Sequence, residues 1–240
     1  MHKNNLVCGS ETGHEAAVPY CDYFEGMMSL AHFRVPNSGR YLQFIWENDL
    51  PIPLPEFITK FQVGQDYRLP LFELVFHDCL VSYWYLGDYN NKIPSVWEKR
   101  DLFNMLYGVP PMYLFGEDTY KRFKEQIVES YKVAQPISRE TGYSEMTDFI
   151  ILSNDRSVQR SVFDNGVSVT CNFGSKTYKL EDGTKLKSMT AIKGTFQKKS
   201  STGMIVGIVI GVLIVIVIIV VVSILVIRKK RTQNEFKPAL

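Results

Sequence analysis

Two short stretches of the chain gather side chains of the kinds that handle sugars. Cys8-Gly9-Ser10-Glu11-Thr12-Gly13-His14 sets a carboxylate close to an imidazole. His77-Asp78, continuing through Trp84, Tyr85, Gly87, Asp88, Tyr89, Asn90 and Asn91, adds acids, amides and aromatic rings. Aromatic faces pack on the apolar faces of sugars, while carboxylates and amides hydrogen-bond hydroxyl groups. A plainer reading stands beside this one, with Trp84 and Tyr85 in a core and Asp88-Tyr89-Asn90-Asn91 as a turn. Other chemistries leave no such trace. The chain has no G-x-G-x-x-G, Walker lysine loop, H-E-x-x-H or G-x-S-x-G, which removes dinucleotide, NTPase, zincin and α/β-hydrolase readings. Cys8, Cys21, Cys79 and Cys171 are scattered and form no C-x-x-C, and only 4 histidines are present. They read as buried or free thiols, and neither a metal site nor a cofactor is expected.

The elements that must position these residues follow from periodicity. Asn5–Cys8 reads as a strand, Tyr23–Phe33 as a helix and Leu71–Phe76 as a strand ending in His77-Asp78. Ser95–Tyr107 has helical spacing in Val96, Trp97, Leu102, Phe103 and Leu106, and Gly108 stops it. Pro111–Phe115 is a further short strand. Asp118–Ala134 is an amphipathic helix capped by Asp118 or Thr119, with Tyr120, Phe123, Ile127 and Tyr131 on one face. Strands alternating with helices imply a parallel sheet with helices outside, where chemistry sits at the strand ends. So few strands cannot close a barrel. The expected fold class is α/β, the C-terminal part of a (β/α)8 TIM-type barrel.

The pattern then changes. Val158–Phe163 and Val167–Phe173 flank Asp164-Asn165-Gly166, which marks a tight hairpin. Glu181-Asp182-Gly183 marks a second turn after Thr177–Leu180. A small antiparallel β-domain is expected, followed by a polar stalk, Lys198–Gly203. From Met204 to Ile227 the chain is apolar except at Gly207, Gly211 and Ser223. At about 1.5 Å per residue this reaches roughly 36 Å, enough for a single transmembrane helix across a core of about 30 Å. Arg228, Lys229, Lys230 and Arg231 follow at once. Basic flanks mark the cytoplasmic side, so the expected location is a plasma membrane, single-pass, with the N-terminal region outside. Gly203, Gly207 and Gly211 share one helix face, which would allow a homodimer. Lys+Arg 27 against Asp+Glu 25 gives a net charge of +2, and much of the excess lies in the tail. A near-neutral body argues against nucleic acid. Met1–Glu11 holds only Leu6-Val7-Cys8 as an apolar run, short of the roughly 7–15 residues of a signal-peptide core. A type-I tail without a type-I head leads to the expectation that the chain is the C-terminal part of something longer.

Several motifs in one order then carry a resemblance. Val18-Pro19-Tyr20-Cys21-Asp22-Tyr23-Phe24-Glu25-Gly26-Met27-Met28-Ser29 and Arg34-Val35-Pro36-Asn37-Ser38-Gly39-Arg40 resemble glycoside hydrolase family 129 and the related family 101. So do Pro70–Cys79, Trp84–Lys92, Lys99–Asn104 and Tyr107–Pro111. The resemblance runs from about residue 5 to about residue 175 and does not touch the apolar segment. It implies a retaining α-N-acetylgalactosaminidase acting on O-glycans, with a carbohydrate partner. A retaining mechanism uses two carboxyl groups about 5–5.5 Å apart. On this resemblance Glu11 is the general acid/base, and Asp22, His77, Asp78, Trp84 and Asp88 contact sugar. The nucleophile would belong to an earlier strand, before Met1, and the chain would be inactive alone. The alternative is a non-catalytic surface protein that keeps a glycan-binding or adhesive face. The expected organisation is a partial barrel at 1–142, a β-domain at 143–197, a stalk at 198–203, a membrane helix at 204–227 and a cytoplasmic tail at 228–240.

Overall fold

The computed structural model describes residues 4–10, 13–24, 55, 58, 64–83, 97–113, 116–196, 216 and 219. The chain forms two compact units, Met1–Phe196 and Gln197–Leu240. Of the second unit only Ile216 and Ile219 are described, and both are helical and exposed. The segment 204–227 otherwise lies outside the described residues. Among the described residues no helix is long and apolar enough to cross a membrane.

The first unit begins with a three-stranded parallel sheet in the order β1 (Gly9–Ser10), β2 (Tyr23–Phe24), β3 (Val81–Ser82). Its register aligns Gly9 with Tyr23 and Val81, and Ser10 with Phe24 and Ser82. A 3-10 helix, Glu15–Tyr20, joins β1 to β2, and the His14 ring caps it by accepting from the Ala16 N–H at 3.3 Å. The Tyr23 ring lies over Gly9, where an added Cβ would come within 2.0 Å of it. Glycine is what lets the aromatic strand close on its neighbour.

Several sequence expectations shift here. The strand expected at Asn5–Cys8 forms one step later, at Gly9–Ser10, after Asn5 turns the chain with φ +55°. The helix expected at Tyr23–Phe33 is β2 over its first two residues, and 25–33 lie outside the described residues. Leu71–Phe76 is not a strand. Pro70 opens a helical turn, α1 (Glu73–Phe76), in which Leu74 and Phe76 N–H groups donate to the Pro70 and Phe72 carbonyls at 2.9 and 2.8 Å. Phe72 and Phe76 stack one turn apart with ring centroids at 5.1 Å. That i, i+4 contact and the burial of Glu73 on the same turn favour the helix over the pleat. Pro111–Tyr113 form no strand either, because the Met112 carbonyl accepts from Arg100 Nη1 at 3.1 Å rather than from a strand neighbour.

Helix α2 (Trp97–Tyr107) matches its expected span closely. Gly108 takes φ +68° and closes it, with Val109 N–H on the Asn104 carbonyl at 3.0 Å and Gly108 N–H on Met105 at 3.2 Å. This is a glycine-terminated helix end that satisfies the last carbonyls. Helix α3 (Glu117–Thr141) is capped by Gly116 rather than a side chain and runs on past Ala134 through Pro136 to Gly142. Its buried line passes through Phe123, Ile127, Ser130, Ala134, Ile137 and Thr141. Tyr120 and Tyr131, expected on that face, are exposed. The stripe steps by three from Ile127 to Ser130 and so leaves Tyr131 outside.

Four antiparallel strands follow in the order β4 (Met146–Ile151), β5 (Val158–Phe163), β6 (Val167–Asn172), β9 (Thr190–Thr195). The β5–β6 hairpin forms as expected, with Gly166 at φ +83° and Asn165 Oδ1 accepting from the Val167 N–H at 3.0 Å. The second turn joins β7 (Tyr178–Lys179) to β8 (Lys185–Leu186). Val167, Val169 and Cys171 of β6 share one buried cluster with Leu102, Phe103 and Leu106 of α2 and Ala134 and Ile137 of α3. On the other face of β6, Asn172 Nδ2 donates to the Lys176, Leu186 and Lys187 carbonyls and anchors the β7–β8 hairpin.

Candidate site at the parallel strand ends

Parallel sheets present ligand sites beyond the carboxyl ends of their strands. Here those ends are Ser10, Phe24 and Ser82, aligned by the register. Glu11 is the next residue after β1 in the sequence, and Trp84 comes two residues after β3. Glu11, Trp84 and Asp88 themselves lie outside the described residues. Tyr83 continues from β3 and meets Tyr23 edge-on, with ring centroids at 6.1 Å.

The remaining expected site residues precede their strands in the chain. Asp22 precedes β2, and its Oδ2 accepts from the Cys8 N–H at 2.7 Å, pinning the entry into β1. His77 and Asp78 follow helix α1 and precede β3, instead of ending a strand as the sequence suggested. His77 is buried. Its Nδ1 donates to the Ser144 carbonyl at 2.7 Å, and Nε2 faces the Gly108 carbonyl at 3.3 Å. Burial holds its pKa below the ordinary value, against the pull of those carbonyls. Its ring packs on Phe163 with centroids at 5.0 Å. His77 thus ties α1 to the end of α2 and to the turn before β4. Asp78 is exposed and accepts from the Cys79 thiol at 3.4 Å.

Beneath the strand ends lies a polar cluster that the sequence reading missed. Glu73 of α1 is 1% exposed and accepts from Ser82 Oγ, at the end of β3, at 3.2 Å. Burial pushes its carboxyl up to about 7, against its backbone hydrogen bond, the Ser82 hydroxyl and the Arg68 charge. Arg68 is also buried, which lowers its guanidinium to about 10, while Tyr107 and Glu73 pull it back up. Tyr107 is pushed above its ordinary value, first by burial and then by Glu73. The signal that could have found this cluster is a glutamate inside the apolar run Leu71-Phe72-Glu73-Leu74-Val75-Phe76. A buried carboxylate in such a run needs partners.

A cavity of about 590 Å³ is lined by Leu102 and Met105 of α2, Val133 and Ile137 of α3, and Ala191 of β9. None of its lining residues comes from the parallel strands, so its size does not make it the site of chemistry. Among the described residues, no group of three His, Cys, Asp or Glu side chains is placed to hold a metal ion.

The family described as glycosyl hydrolases related to the GH101 family, GH129, matches residues 1–162. Among solved structures, the chain is similar to the α-N-acetylgalactosaminidase NagBb of Bifidobacterium bifidum. In its GalNAc complex the identity is 21% and the TM-score 0.46, covering 81% of this chain and 25% of that one. In its ligand-free form the identity is 25% and the TM-score 0.43, covering 71% and 23%. The chain therefore spans about a quarter of the length of these structures. No curated protein matches it.

Proposed function

Because the chain belongs to the family of glycosyl hydrolases related to GH101, GH129, we propose that it supplies the general acid/base of a retaining α-N-acetylgalactosaminidase acting on O-glycans. The observation that carries this reading is the family match over 1–162. The order of the strands supports the residue assignment, since Glu11 follows directly on β1 at the edge where parallel sheets place their ligands.

In this mechanism Glu11 begins protonated and gives its proton to the glycosidic oxygen as the bond to the anomeric carbon breaks. A second carboxylate attacks that carbon from the opposite face and forms a glycosyl-enzyme. Glu11, now ionised, removes a proton from water, and the resulting hydroxide displaces the enzyme carboxylate with net retention. Trp84 offers an aromatic face to the sugar, and Asp88 an acceptor for its hydroxyls. Segment 204–227 anchors this region in a plasma membrane, with the glycan-handling unit outside and the basic tail within.

Glu11→Gln tests the assignment in a full-length form that also carries the nucleophile. Substrates with poor leaving groups need protonation of the departing oxygen, so O-glycopeptide hydrolysis should fall by about 10²–10⁴-fold. Aryl glycosides with activated leaving groups keep their glycosylation step, and azide should restore their turnover. An equal loss on both substrates with no azide rescue would remove Glu11 from the acid/base role. Glycan binding without hydrolysis by the full-length form would favour the adhesive reading instead.

A further inference from the structure

The geometry points to Cys8 and Cys21 as a disulfide-forming pair that closes the loop carrying Glu11. Both are free thiols in this structure and both are partly exposed. Their backbones are held side by side at the entry to the parallel sheet. The Asp22 N–H donates to the Cys8 carbonyl at 2.7 Å and the Tyr23 N–H reaches the same carbonyl at 3.4 Å. The peptide group that joins Cys21 to Asp22 therefore lies against Cys8. The Asp22 carboxylate returns a bond to the Cys8 N–H, at 2.7 Å, which fixes the pair from the other side. The parallel register sets Cys8 level with Asp22, one residue beyond Cys21. A strand spacing of about 4.8 Å with a rise of about 3.3 Å puts the two Cα atoms roughly 6 Å apart, within the about 4.4–6.8 Å that a disulfide spans. Burial first, and then the neighbouring Cys8 and Asp22, raise the Cys21 pKa.

The other cysteines lack this arrangement. The Cys79 thiol is exposed and donates to Asp78 at 3.4 Å. Cys171 is buried, with its thiol on the Leu102 carbonyl at 3.3 Å. Selectivity for Cys8–Cys21 is thus built into the strand entry. The chemistry needs a disulfide oxidant such as oxidised glutathione. One thiolate of the pair attacks a glutathione sulfur, breaks its S–S bond and expels one glutathione thiolate. The second cysteine, as thiolate, attacks the mixed disulfide and expels the other glutathione. Two protein thiols and one oxidised glutathione become one protein disulfide and two reduced glutathiones, and the protons from the cysteines end on the departing thiolates. Between the two cysteines lie Glu11, Gly13 and the 3-10 helix Glu15–Tyr20. The bond would tether both ends of the segment that follows β1.

Formation in cells rests on the extracellular placement proposed above, whereas the capacity to form does not, and two arms keep these apart. In the first, the full chain is purified in detergent under reduction, equilibrated with oxidised glutathione, denatured and alkylated. Peptide mass spectrometry should show Cys8 joined to Cys21, two hydrogens lighter than the free pair, with neither residue alkylated or carrying glutathione. Glutathione carried separately by Cys8 or Cys21, or both left alkylatable, would overturn the pairing. In the second arm, cells are quenched with alkylating agent before lysis. The same linked peptide supports both the pairing and the location. A pair that closes in buffer yet is fully alkylated in cells supports the pairing and refutes the extracellular placement.

Discussion

Glu73 gives the sharpest test of the physical account, because its carboxyl is buried and titrates in an accessible range. Its pKa rises from 4.5 to about 7 in the folded chain, chiefly through burial. At about 1.4 kcal/mol per unit, that shift corresponds to roughly 3 kcal/mol. The sign follows from proton binding. Between pH 4.5 and about 7 the folded state holds a proton that the unfolded state has released, so stability falls as pH rises through this window. Above it both states are ionised and the loss is complete. Glu73→Gln keeps the shape and an acceptor for Ser82 Oγ but cannot titrate. Arg68 stays charged throughout, since its pKa of about 10 lies well above the window. His77 shifts the opposite way, but it is common to both proteins and cancels in the difference. Urea unfolding of the full chain in detergent, followed by intrinsic fluorescence, supplies the two pH profiles. The variant should match the wild type near pH 4.5 and exceed it by roughly 3 kcal/mol near pH 8. Parallel profiles across the window would refute the burial argument for this carboxyl.

Gly108→Ala should destabilise the first unit by about 2–4 kcal/mol, from left-handed backbone strain and a forced core. The added Cβ would lie 2.7 Å from Thr141 Oγ1 and 2.8 Å from His77 Nε2 and Phe163 Cζ, and a urea midpoint unchanged from wild type would contradict that packing. For topology, protease added to intact cells should cut within the β4–β9 region and spare an epitope placed after Leu240. Digestion of that epitope from outside would reverse the proposed orientation.

The antiparallel region was legible because its signals are local. Asn165-Gly166 supplies the backbone that a tight turn requires, and Val167, Val169 and Cys171 alternate with polar neighbours over the whole of β6. Helix α2 was equally plain, since Gly108 marks its end and its apolar spacing spans several turns. Helix α3 showed its type but not its face or its end. Pro136 reads as a breaker in sequence, yet the helix continues through it to Thr141. Ser130 and Thr141 lie on the buried line because they find partners there. Ser130 Oγ donates to Asp101 Oδ1 at 2.6 Å, and Thr141 Oγ1 donates to the Ile137 carbonyl at 3.0 Å. A hydropathy pattern treats such residues as surface, and only the tertiary contacts reveal otherwise.

The parallel sheet was harder for a related reason, and the consequence reaches the site. Strands as short as Gly9–Ser10 and Tyr23–Phe24 have no room to show alternation. A run such as Leu71–Phe76 fits a strand or a helical turn equally well until one knows that Glu73 is buried with Ser82. Taking it for a strand makes His77 and Asp78 strand-end residues, which is where a sugar site would be sought. As the helix α1 it makes them the approach to β3, and the strand end moves to Ser82. His77 then has a different task, holding the Gly108 and Ser144 carbonyls at a seam between elements. Trp84 and Asp88, which the proposed site draws on, follow Ser82 in the sequence. The same polarity keeps Glu11 after β1 and sets Asp22 before β2, where its carboxylate steadies the Cys8 backbone. A single misassigned turn therefore moves the end of the strand from Phe76 to Ser82.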